Sequence, residues 1–180
     1  MPSPIAHSVS GYVLAKFLPQ ELSKYYPSSW WNWENFYPVF IAIFADFDFI
    51  PQLITGEIFH RGITHTLIFA IGLSLVFAWL ISYFCKYSFK QIFLFTLVIY
   101  SSHLVLDFFT TTSGSGLQLF WPLTDTYFKS AIPIFPSVHH SKGLFDVSHF
   151  IFISWELSYS VLIVSILWLW KNFRSSKFPE

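Results

Sequence analysis

The chain has 180 residues, 54% hydrophobic, 22% aromatic and only 11% charged, with a formal net charge of zero. A soluble domain carries about 25% charged residues, so the composition is that of a membrane protein, and the lack of any basic block excludes an electrostatic nucleic-acid surface. The single cysteine, Cys85, excludes an internal disulfide and a cysteine-rich zinc cluster, so any metal ligation must come from nitrogen and oxygen.

The opening Met-Pro-Ser-Pro-Ile-Ala-His has no basic region and does not read as a cleavable signal peptide. Ser3 or Pro4 is placed to start an apolar-periodic helix from about Ile5 to Leu18, with His7 in its first turn. This segment is short of the roughly 20 residues a spanning helix needs, which predicts a half-span or an interfacial helix. Pro19 to Glu34 is an aromatic connection whose Trp30, Trp31 and Trp33 suit either a membrane–water boundary or a loop packed on the bundle.

Phe36 to Ile50 is apolar but ends in Asp46-Phe47-Asp48. Pro51 biases Ile50 away from helical geometry, so the helix is expected to stop near these acids. In an unwinding helix end both carboxylates can turn inward; otherwise they are simply solvated. His60-Arg61-Gly62-Ile63-Thr64-His65 follows, with Gly62 permitting a turn and Thr64 a candidate N-cap. Thr66 to Phe84 carries no charge and predicts a transmembrane helix. After a tight connection with Lys86 and Lys90, Phe89 to Phe109 spans back and contains His103 and Asp107. At four residues apart these two share one helix face. An imidazole and a carboxylate in an apolar helix are costly unless compensated, by a divalent metal or by a His–Asp hydrogen bond closing a helix interface.

Thr110 to Gly116 is a hydroxyl- and glycine-rich loop without P-loop spacing, followed by Phe120-Trp121-Pro122, an interfacial stop. A further loop holds His139 and His140. Ser148 is a candidate cap for a last helix through His149 and Glu156 to about Trp170, after which Lys171, Arg174 and Lys177 close the chain. Neither an internal repeat nor a second domain is evident. The whole predicts an all-α, polytopic membrane bundle over residues 1–180, with short β pairings at most.

Basic residues in short loops mark the cytoplasmic side. Lys86 and Lys90 lie at one side, and Lys171, Arg174 and Lys177 at a helix end two crossings later, hence the same side; the C-terminus is therefore expected in the cytoplasm. In that frame His65, His103, Asp107, His149 and Glu156 fall in the outer half, together with His7, Asp46 and Asp48 if the first two segments run in and out. Ionisable groups gathered at one depth of a membrane protein mark a functional site. Histidines with carboxylates favour zinc, with manganese or another divalent ion as the alternative, in one or two copies. An open coordination position would acidify a water and provide a nucleophile without serine or cysteine.

The motifs Pro-Ser-Pro-Ile-Ala-His7, Ala-Asp46-Phe-Asp48, His60-Arg-Gly-Ile-Thr-His65 and Ser-His103-Leu-Val-Leu-Asp107, followed by Thr-Thr and Phe-Trp-Pro, resemble the YdjM family. That family is described as inner-membrane-associated metal-dependent hydrolases, also labelled LexA-binding. The resemblance covers roughly Met1 to Asp125, with a looser match at the helix of Glu156. A more distant likeness is to the zinc-dependent phospholipase C and P1 nuclease superfamily. It implies His7, Asp46 or Asp48, His60 or His65, His103 and Asp107 as metal ligands, Asp107 bridging two ions. The chain departs from that pattern where His149 and Glu156 stand seven apart rather than one helical turn.

Three functions remain open from the sequence. The first is a membrane hydrolase cleaving a phosphoester or lipid-borne ester, with Asp107 at the metal, Glu156 as ligand or general base, Arg61 holding an anionic oxygen and the Thr110–Gly116 loop offering backbone N–H groups. The second is a metal-ion carrier, and the third a structural or regulatory protein with a non-catalytic polar cluster.

Overall fold

The structure, a computed structural model, describes residues 3–18, 33–55, 61–110, 116–136 and 147–177. Among the described residues six α-helices and two 3-10 turns follow one another: α1 (Pro4–Phe17), α2 (Trp33–Ile43), a 3-10 turn (Phe44–Asp48), α3 (Phe49–Thr55), a second 3-10 turn (Ile63–His65), α4 (Leu67–Cys85), α5 (Phe89–Phe108) and α6 (Val147–Lys177). The described residues contain no strand, only two isolated bridges, Thr110 with Phe135 and Leu117 with Phe128. Helices α4, α5 and α6 are long and apolar enough to cross a membrane, which matches the three spans expected from the sequence.

Local chemistry sets the helix ends. Ser3 caps α1, its Oγ accepting from the Ile5 N–H at 3.1 Å, and Pro4 takes the first helical position, where its missing N–H costs nothing. The cap of α4 is Thr66, whose Oγ1 accepts from Phe69 N–H at 3.2 Å, and not the expected Thr64, which sits inside the preceding 3-10 turn. Pro51 does not stop the chain's helical course either. The α-helix tightens into the 3-10 turn at Phe44, and a new helix begins at Phe49, so Pro51 falls in the first turn of α3, where its N–H would be unpaired anyway.

The core lies between α1, α2, α4 and α5 and consists of Ala15, Ile41, Ala42, Ala45, Ala70, Ile99 and Leu104 with the larger Tyr37 and Tyr100. Small residues let backbones approach closely, which is what helix association in lipid relies on. Gly11 is the sharpest case: a Cβ there would lie 2.5 Å from Ala42 Cβ and 2.8 Å from the Pro38 carbonyl oxygen. Across α2 and α5, Tyr37 Oη bonds Thr96 Oγ1 at 2.5 Å, an interhelical bond worth about 0.6 kcal/mol in a membrane protein. Helix α1, expected as a half-span or an interfacial helix, is 14 residues long and packed against α2, α5 and α6, burying Ala6, His7, Ser10, Gly11, Val13 and Ala15.

Helices α1 and α6 run parallel, joined by Ser3 with Glu156, Ser10 with Tyr159 and Phe17 with Trp170. Residues 116–136 close the end of the bundle where Ser3, Asp48 and Asp107 lie. Leu117 and Phe128 exchange backbone bonds, Leu119 O accepts from Leu67 N–H at 2.9 Å, and the last carbonyls of α5 are met by Ser130 and Ile134 N–H groups. A cavity of about 150 Å³ lies at the other end, between Tyr37, Pro38, Ile81 and Ile92.

Candidate metal centre

Four separate segments deliver the ionisable side chains to one place. Helix α5 carries His103 and Asp107, 0% and 2% exposed; α1 adds His7; the first 3-10 turn adds Asp46 and Asp48; and the second adds His65. His103 Nε2 lies 3.2 Å from His65 Nε2, 3.6 Å from Asp46 Oδ1 and 3.8 Å from Asp107 Oδ2. Asp107 Oδ2 is 3.4 Å from His65 Nε2, and Asp107 Oδ1 is 3.5 Å from His7 Nε2. The His7 ring stacks on that of His103 at 3.8 Å. Two overlapping groups result, His7–His103–Asp107 and Asp46–His65–His103, sharing His103.

The surrounding shell fixes which nitrogens face inward. His103 Nδ1 donates to the Ala42 carbonyl at 2.7 Å, which leaves Nε2 as the free acceptor. That carbonyl is available because α2 ends at Ile43 and the last helical carbonyls lack intrahelical partners. His65 Nδ1 faces Asp48 Oδ2 at 3.2 Å and Thr64 Oγ1 at 3.0 Å. Asp48 is in turn held by the Thr64 hydroxyl at 2.8 Å and the Arg61 N–H at 3.1 Å. Arg61 reaches it by taking a left-handed backbone, φ 67°. Asp48 therefore sits behind His65, in the place of an orienting carboxylate, whereas Asp46 is among the donors themselves. Tyr100 pins the same turn through a 2.6 Å bond from its hydroxyl to the Thr64 carbonyl.

Burial alone would lower the His65 pKa, but the carboxylates of Asp107 and Asp48 beside the ring outweigh it, and the ring is pushed up to about 9. The protein thus holds a positive charge at this spot when no other cation is there.

The donor set fits a divalent ion. Both ring nitrogens of His7 and both carboxylate oxygens of Asp107 are buried without a hydrogen-bond partner, a costly state for polar groups unless something else satisfies them. The contacts of 3.2–3.8 Å are long for hydrogen bonds but match the spacing of about 3.4 Å between two ligands that each sit about 2.1 Å from a tetrahedral ion. Imidazole with carboxylate is the donor chemistry of zinc, manganese or iron.

The remaining expected site residues either fall outside the described residues or are not among the converging donors. His60 and the Thr111–Ser115 part of the loop are outside the described residues, as are His139 and His140. Half-buried Arg61 keeps its Nε buried and without a hydrogen-bond partner. His149, on α6, contributes to neither group of donors. Glu156 is buried but engaged by Ser3, both of whose donors, the backbone N–H and the hydroxyl, meet its carboxylate; it is not among the converging donors. The sequence offered no sign of the Ala42 carbonyl, the Thr64 hydroxyl or Ser3, because each acts on a partner far along the chain or through the backbone.

Comparison with curated proteins and with solved structures gives no match. A family model, YdjM inner membrane protein, matches residues 1–177. The chain is a member of the YdjM family of inner membrane proteins.

Proposed function

We propose that the protein is a membrane-embedded, metal-dependent hydrolase that cleaves a phosphoester or another lipid-borne ester. The observation that carries this reading is the convergence of His7, His65, His103, Asp46 and Asp107 from four segments, with His7 and Asp107 left without hydrogen-bond partners. A purely structural polar cluster would satisfy its own members. A carrier would need metal-binding groups through the thickness of the bundle, yet beyond His103 the buried residues of α5, Tyr100, Ile99, Thr96 and Ile92, include no histidine or carboxylate.

In this reading His7, His65, His103, Asp46 and Asp107 hold the ion, zinc by preference. A bound ion would lower the pKa of a water toward neutrality and stabilise negative charge on a substrate oxygen. The chain's own residues do the rest. Asp48 and the Ala42 carbonyl orient His65 and His103, and Asp107 offers its two oxygens to opposite sides, one toward His7 and one toward His65 and His103. Arg61, anchored through its backbone to Asp48, is placed next to the turn that carries His65 and would hold an anionic ester oxygen with its planar fork of donors.

The orientation belongs to the same reading. Lys16, Lys86, Lys90, Lys171 and Arg174 all lie at the end remote from the cluster, so the positive-inside rule places that end and the C-terminus in the cytoplasm and the metal centre on the outer side. The test is metal analysis of the purified chain, followed by hydrolysis of a chromogenic phosphodiester with zinc or manganese restored to metal-stripped protein. Stoichiometric metal with metal-dependent turnover supports the hydrolase; metal without turnover on any ester supports the carrier, and protein that binds none supports a structural role.

A further inference from the structure

Glu156 lies in the membrane-spanning part of α6 and is 2% exposed. A carboxylate there is expensive unless it is compensated. Compensation comes from the opposite end of the chain: the Ser3 N–H and the Ser3 hydroxyl each donate to one of its oxygens. Ser3 is the N-cap of α1, so the carboxylate also meets the positive end of that helix. The contact opens a seam along two parallel helices. Further down it Ser10 Oγ bonds Tyr159 Oη at 2.8 Å, and the rings of Phe17 and Trp170 pack at 4.7 Å. The separation is 156 − 3 = 153 residues at the first contact and 170 − 17 = 153 at the last, so the register is the same at both ends.

His7 stands one helical turn beyond Ser3, its N–H donating to the Ser3 carbonyl at 3.4 Å. What fixes Ser3 therefore fixes the depth and rotation of the His7 ring, which must meet Asp107 at 3.5 Å and stack on His103. We propose that Glu156 is a positioning residue: by receiving both donors of Ser3 it seats α1 on α6 and thereby delivers His7 to the His103–Asp107 pair. That His7 holds a metal rests on the function proposed above; the seating of α1 does not.

The test uses the full chain in lipid nanodiscs, with zinc as the probe, and reads two quantities: zinc affinity and backbone hydrogen exchange over residues 4–11. Glu156→Gln keeps the shape but loses the charge and one acceptor. It should speed exchange over residues 4–11 about tenfold while leaving α5 unchanged, because the loosened unit is local. Zinc binding should weaken about 10–100-fold, as when an outer support of a ligand is removed. The double variant Glu156→Gln/His7→Ala should bind zinc no more weakly than His7→Ala alone, since both act through one ring. Ser3→Ala attacks the same contact from the helix end and serves if Glu156→Gln does not fold. Unchanged exchange overturns the proposal, as does wild-type zinc affinity in Glu156→Gln or a loss that adds to that of His7→Ala. Faster exchange with no zinc bound by any form, wild type included, upholds the seating and removes the metal-centre reading instead.

Discussion

The Nε2 atoms of His65 and His103 face each other at 3.2 Å, while the Nδ1 atoms of both rings point outward to fixed partners, Asp48 and the Ala42 carbonyl. With each Nδ1 turned to an acceptor, two lone pairs meet across that gap, and only a cation between them relieves the repulsion. A proton on His65, held by Asp107 and Asp48, does so in the metal-free protein. A divalent ion in contact with both nitrogens would do so in the loaded one.

This exchange predicts a pH dependence. The folded-state pKa of His65 is raised from 6.5 to about 9, so in metal-free protein its proton contributes stability that is fully present below pH 6.5 and is lost as pH rises through about 9. Metal must displace the same proton. Zinc affinity should therefore rise with pH up to about 9, and calorimetry in buffers of different ionisation enthalpy should detect a proton released on binding near pH 7.5.

Asp107→Asn preserves shape and removes the charge that faces His7, His65 and His103. It should reduce metal-dependent hydrolysis by more than about 100-fold, beyond the loss typical of an outer-shell change, while the helical circular dichroism stays as in wild type. Full activity in this variant on every ester tried would point to the structural reading.

Asp48→Asn should behave differently, because Asp48 stands behind His65 rather than among the donors. Zinc affinity is expected to fall about 10–100-fold without being abolished, and the metal-free pKa of His65 should drop. Zinc titration and histidine NMR titration check the two parts separately.

At Gly11 the α1–α2 approach leaves no room for a side chain. Gly11→Ala should cost about 1–3 kcal/mol, the range for overpacking a closely packed interior, and Gly11→Leu more. Because the same displacement moves α1, zinc affinity should fall together with the thermal midpoint measured in detergent.

Much of this was legible in the sequence. The four-residue spacing of His103 and Asp107 and the uncharged run that follows His65 gave both the spans and the end at which the polar groups gather. The end of the α-helix near Asp46 and Asp48, and an unwinding that turns both acids inward, were readable from Pro51 and the acids themselves. What could not be read was that the chain winds on as a 3-10 turn from Phe44 into a new helix, and it is that change which frees the Ala42 carbonyl and turns Asp46 and Asp48 toward two different histidines. The contact of Glu156 with Ser3 was equally hidden, since its partner stands 153 residues away along the chain.

The pairing of the first helix with the last also orders events during synthesis. A nascent chain that has inserted α4 and α5 already owns His65, His103 and Asp107, and α2 and α5 offer α1 part of its packing surface, but the Glu156 contact that holds Ser3 is missing until residue 156 has left the ribosome. If Glu156 seats α1 as proposed, His7 settles beside His103 and Asp107 only at the final stage of assembly, and a chain truncated before α6 would hold the group of donors incomplete.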